Sequence, residues 1–129
     1  MTSPEDRGLS RRERQIMDFL FRCGTGSVAD VLEGIPDPPS YSAVRAMLRV
    51  LEQKGHVVHE EVGRAYIYRP TIPRETARRS ALKHLLRTFF DGSTEQAVAA
   101  LLDLSGRKLT DTDLDRMTDQ VKRAKREGR

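Results

Sequence analysis

Apolar positions along this chain change their spacing twice, and each change marks a new kind of element. In "LSRRERQIMDFLF" (9–21) Ile16, Met17 and Leu20 form a helical stripe, with Ser10 at the capping position and Glu13 three residues on, the spacing of a capping box. Gly24 and Gly26 end that helix. Ser27 opens a second, "VADVLEG", whose Val28, Val31 and Leu32 fall at i, i+3 and i+4. The stretch "GIPDPP" is a firm break, and a third helix is predicted over 40–54, between Pro38 and Pro39 at its edge and Gly55 at its stop. Beyond Gly55 the pattern is extended: "HVVHEE", a tight turn at "VG", then "RAYIYR" ended by Pro70, which together predict a β-hairpin.

The helical spacing then returns. "PRETARRSALKHLLRTFF" places Ala81, Leu82, Leu85, Leu86, Phe89 and Phe90 on one broad face, and Asp91 and Gly92 stop it. Ser93 and Gln96 have capping-box spacing ahead of "AVAALLDL", which carries Val98, Leu101 and Leu102. Thr110 caps a last helix with Leu114, Met117 and Val121 at i, i+3 and i+7, before a basic tail, "KRAKREGR". The fold class is therefore mainly α with a small β-hairpin. Three short helices and a hairpin describe a winged helix-turn-helix over residues 1–71, followed by a helical domain over 72–129. So small a helical unit has a poor surface-to-volume ratio and cannot bury its own apolar face. Pairing with a second copy is the expected solution. The expected dimerisation surface comprises Leu82, Leu85, Leu86, Phe89, Phe90, Val98, Leu101, Leu102, Leu114, Met117 and Val121.

Charge refines this picture less than it first promises. The chain has 129 residues and a net charge of +4, but residues 1–71 hold ten basic and ten acidic side chains, and the whole excess lies in 72–129. Bulk charge does not decide for nucleic acid, so the argument rests on where individual arginines point. On the third helix Val44, Met47, Leu48 and Leu51 share the core face; at about 100° per residue Ser42, Arg45, Arg49 and Gln53 fall on the outer side. Arginine is the commonest specific reader of guanine, because its planar fork matches the O6 and N7 acceptors. In an arbitrary helix two outer arginines are a solvated face. In the third helix of a helix-turn-helix they lie where a major groove would pass.

The runs "LSRRERQIMDFLF", "SVADVLEGIP", "YSAVRAMLRVLEQKGHV", "GRAYIYRP" and "TFFDGSTEQAVAALL" resemble the penicillinase-repressor family, the BlaI/MecI/CopY group, from about Leu9 to about Val121. The resemblance implies a bacterial transcriptional repressor, a homodimer whose winged helices bind palindromic operators, often with TACA and TGTA arms, through double-stranded DNA contacts of the third helix. Carried over by position, the expected DNA-binding residues are Ser40, Tyr41, Ser42, Arg45, Ala46, Arg49 and, beside the wing turn, Arg64. Tyr41, Val44 and Arg45 match the family's recognition helix, whereas Ser42, Ala43 and Ala46 replace threonines. Ser42 still donates a hydrogen bond, while the alanines offer only methyl contacts, for instance to thymine. The resemblance also implies an inactivating partner, a sensor protease or another protein. Relatives of the penicillinase type are cut at an Asn-Phe bond, and this chain contains no asparagine.

Other signals carry less. Asp111, Asp113 and Asp115 have the spacing of a calcium loop, but Arg116 and Lys122 replace its glycine and its bidentate glutamate. His56, His59, His84 and the single Cys23 match no zinc spacing, and the C-terminal cysteine cluster of the copper-responsive branch is missing. No phosphate loop, dinucleotide glycine pattern or nucleophile motif is present, so neither an enzyme, nor a cofactor, nor a metal is expected. The N-terminus does not read as a signal peptide, and "AVAALL" is too short to span a bilayer, so a cytoplasmic protein without direct membrane binding is expected. Two alternatives remain open at this point: a winged helix used only for protein contacts, and a ligand-sensing winged-helix regulator with a pocket between its domains.

Overall fold

Helix α1 (Arg11–Cys23) begins as its spacing predicts: the Ser10 hydroxyl accepts from the Glu13 N–H, and the Glu13 carboxylate accepts from the Ser10 N–H at 2.8 Å. The computed structural model describes residues 8–128, and the same reciprocal box, Ser27 with Asp30, opens α2 (Val28–Gly34). Ser40 caps α3 (Tyr41–Gln53) by accepting from the Ala43 N–H, and Gly55, at φ +84°, turns the chain out of it. A side chain at Gly34 would come within 2.1 Å of the Phe19 ring, so glycine is what lets α1 and α2 close on each other.

Between the three helices lies the core. Ile16, Leu20, Val31, Val44, Leu48 and Leu51 are fully buried there, joined by Val57 from the hairpin; Met47 packs at the margin, half-buried. The hairpin pairs β1 (Val57–Val62) with β2 (Ala65–Pro70) in antiparallel register, Val57 opposite Pro70 and Val62 opposite Ala65. Its turn is Gly63-Arg64, one residue later than the expected "VG". Val62 is the last ladder position, and Gly63 has positive φ while Arg64 does not, the II′ pattern that suits strand twist. The register thus puts Arg64 in the turn itself. The hairpin is hooked to the α1–α2 corner, where Gly26 and Tyr68 exchange both backbone bonds, at 3.0 and 2.8 Å, and Tyr68 is buried.

One carboxylate lies inside this arrangement. Glu13 is 5% exposed and meets Lys54 Nζ at 3.0 and 3.2 Å, while the same ammonium donates to the Gly8 carbonyl at 2.6 Å. Burial works against the charged carboxylate, but the bonds from Ser10 and Lys54 outweigh it and hold Glu13 below its ordinary value.

Helices α4 (Arg74–Phe89), α5 (Thr94–Ser105) and α6 (Asp111–Arg126) complete the chain, with a 3₁₀ turn at Gly106–Lys108. Phe90 caps α4 from outside it, and Asp91 and Gly92, both at positive φ, reverse the chain. Thr110 and Asp113 form a full capping box, whereas Ser93 accepts from the Gln96 N–H without the return bond, half of the predicted box. Among the described residues of these three helices only Ala97 is buried. No helix is long and apolar enough to cross a membrane, among the described residues.

Candidate DNA interface

With Val44, Leu48 and Leu51 committed to the core, the 3.6-residue period leaves Tyr41, Ser42, Arg45, Ala46 and Arg49 exposed on α3. Ser40 is exposed at the helix start, its hydroxyl shared between the Ala43 N–H and the Ser42 hydroxyl, each at 3.2 Å. The wing then brings distant residues to this face. A cleft of about 480 Å³ opens between the start of α2, α3 and the hairpin, with Ser27, Tyr41, Arg45, Arg64 and Tyr66 on its walls. Of the residues picked from sequence, Tyr41, Arg45 and Arg64 are therefore gathered around one concavity. Arg49 lies farther along, in a second cleft of about 150 Å³ that it shares with Arg45, Glu52 and the hairpin side chains His59, Tyr66 and Tyr68.

Those hairpin residues escaped the sequence analysis as interface candidates, His59 having been weighed only as a metal ligand. Their signal is the strand period. Antiparallel register sets His59 opposite Tyr68 and Glu61 opposite Tyr66, so all four share the hairpin face turned toward α3. The His59 and Tyr66 rings stack at 4.2 Å and 16°, and the Tyr68 ring tilts against His59 at 5.4 Å. Burial raises the Tyr68 hydroxyl above its ordinary value, with Glu52 and Tyr66 adding to it and Arg45 and Arg49 opposing. The phenol stays neutral at physiological pH, a donor and acceptor without charge beside two guanidiniums. Arg45 and Arg49 make no ion pair with any described residue.

The family model described as penicillinase repressor matches residues 9–123. The chain belongs to the penicillinase repressor family. It is accordingly a DNA-binding transcriptional repressor built on a winged helix, in a family of regulators. Distant likenesses exist among solved structures. Bordetella bronchiseptica BpsR, described with its regulation by 6-hydroxynicotinic acid, is 20% identical over 80% of this chain and 76% of that one, with a TM-score of 0.48. The archaeal chromatin protein TrmBL2 is 21% identical over 81% of this chain and 39% of its own, with a TM-score of 0.47. A Lactococcus lactis ZitR mutant in complex with DNA is 17% identical over 100% and 82%, with a TM-score of 0.48. No curated protein matches the chain.

The residues expected for dimerisation also have definite places. Leu82, Leu85 and Phe89 of α4, Val98, Leu101 and Leu102 of α5, and Leu114 and Val121 of α6 are exposed, with Phe89 at 70% and Val121 at 67%. Leu86, Phe90 and Met117 are half-buried. Leu104, the most exposed of the large apolar residues at 83%, was not among those picked from sequence. Its signal was there to read: "AVAALLDL" is apolar almost all round, the mark of a helix meant to be enclosed. Among the described residues no group of three or more His, Cys, Asp or Glu side chains is arranged to hold a metal ion.

Proposed function

We propose that this repressor works in the cytoplasm as a homodimer on a palindromic operator, with α3 of each protomer in a major groove. Residues 1–71 act as the DNA-binding domain and 72–129 as the dimerisation domain. Arg45 reads a base edge and Arg49 a base or a phosphate; Ser42 donates a hydrogen bond, Ala46 offers a methyl contact, and Ser40 and Tyr41 meet the strand at the helix start. Arg64 at the wing tip reaches the backbone or the minor groove. The observation that carries the reading is the pair of exposed, unpaired arginines on the outer side of α3, flanked by a wing whose turn adds a third.

The many large apolar side chains left exposed on α4, α5 and α6 support the dimer, since apolar surface in such quantity calls for a covering partner. Two-fold symmetry then calls for half-sites one helical turn, or a multiple, apart. Repression is relieved by loss of the dimer, through a sensor protease or another inactivating protein, and not by a small ligand or a metal. A cut anywhere between Gly92 and Gly106 would part the later helices from the DNA-binding half and remove the avidity of the pair. Selection of bound sequences from random DNA, with sedimentation of the selected complex, tests the proposal. A two-fold symmetric site carrying two chains is the expected result. An asymmetric site, or no enrichment, would overturn it.

A further inference from the structure

Glu52 is the one acidic side chain on α3, and its position is awkward for a helix that reads DNA. It follows Arg49 by three residues and Arg45 by seven, on the side of the helix that faces the wing, and all three line the same cleft. Opposite charges at i, i+3 attract along a helix surface. A carboxylate there would be expected to fold back onto Arg49 and neutralise it, or to stand unpaired and repel a phosphate strand. It does neither. Glu52 Oε1 lies 2.6 Å from His59 Nδ1, and no arginine pairs with it among the described residues. An ionised carboxylate only accepts, so Nδ1 carries the hydrogen of this bond. The imidazole is in turn fixed by the stacked Tyr66 ring and the tilted Tyr68 ring, so its nitrogen is aimed before any DNA arrives.

Resting on the DNA-binding reading above, we propose that His59 is a positioning residue which takes up the Glu52 carboxylate and so leaves Arg49 and Arg45 free for DNA. It acts on the arginines only through Glu52. A simpler role, in which the same bond merely pins the wing to α3, makes an opposite forecast for the double variant.

The experiment measures operator affinity of the full chain, with the operator obtained by selection from random DNA, and thermal melting confirms that each variant folds. His59→Ala is expected to weaken binding about tenfold, within the range for losing one arginine contact. Removing the carboxylate as well, in the Glu52→Gln/His59→Ala variant, is expected to restore affinity above that of His59→Ala alone. His59→Gln, whose amide still donates to Glu52, keeps most of the affinity. A double variant as weak as His59→Ala, or a His59→Ala variant that binds as the wild type does, overturns the inference while leaving the repressor reading intact. Wild-type protein that binds no DNA overturns both.

Discussion

Residues 9–70 and the helices that follow are both rich in apolar helical positions and finish them in different ways. In the first region Ile16, Leu20, Val31, Val44, Leu48 and Leu51 converge from three helices and leave no exposed surface at all. In the second, Ala97 alone is buried among the described residues, while Phe89, Leu101, Leu104 and Val121 face outward. An apolar stripe states that a helix needs a partner, and it is silent on whether that partner lies in the same chain. Crossing three helices and sealing them with Val57 and Tyr68 from a hairpin closes a core within one chain. Three helices in series, without a closing element, do not. On the proposed reading the first region folds by itself and the second pairs with another copy.

The sharpest way to break this comparison is to separate the regions. A fragment ending at Pro70 is expected to fold and to sediment as a monomer. It should bind a palindrome far more weakly, because linking two binding modules commonly gains about 10²–10⁴ in avidity. A fragment that sediments as a dimer at micromolar concentration would place the interface in the wrong region. Point changes sharpen the contrast next. Leu48→Ala in the closed core should lose about 2–5 kcal/mol, read by denaturant melts of the fragment ending at Pro70 and independent of its concentration. Leu101→Ala in the open region should instead raise the dissociation constant of the dimer, measured by sedimentation over a range of concentrations, because an association surface loses apolar area.

A smaller effect is expected at the interface. Arg45→Ala should lose about 1–3 kcal/mol of operator binding and relax preference at one position per half-site, measured by titration against single-base variants of the site. Unchanged affinity and selectivity would remove Arg45 from the reading face. The smallest effect concerns acid. Glu13 in the closed region is held below its ordinary value, so its contribution to stability is complete above the usual carboxylate range. That contribution disappears as pH falls through the lowered native value. Asp30 and Asp113 are lowered too, by the backbone bond and then the side-chain bond to their caps, Ser27 and Thr110. Because the partners that lower Glu13, Ser10 and Lys54, both lie in the first region, a Glu13→Gln change should flatten the acid limb for the fragment ending at Pro70 as much as for the full chain, followed by circular dichroism.

Much of this fold was legible from short-range chemistry. Helix starts at Ser10, Ser27, Ser40 and Thr110, and stops at Gly24 and Gly55, depend on a side chain or a backbone angle within a few residues of the end. The inward face of α3, and with it the outward arginines, followed from its period alone. The hairpin was readable as a hairpin, but its turn fell one residue later, because a strand's register is settled by what each face packs against and not by the turn letters alone.

What tertiary structure alone decided are meetings between residues far apart in the chain. Glu13 finds Lys54 across forty-one positions, Gly26 finds Tyr68, and Gly34 receives Phe19. His59 reaches Glu52 only because the hairpin folds back over α3, and Arg64 and Tyr66 join Tyr41 and Arg45 for the same reason. None of these pairs has a characteristic spacing, since the loop between partners can take many lengths at little difference in closure entropy. By itself the sequence determined which residues must turn inward and which helices begin where. The packing of a hairpin on three helices decided which exposed side chains share a surface, because that depends on distances in space that no periodicity along the chain encodes.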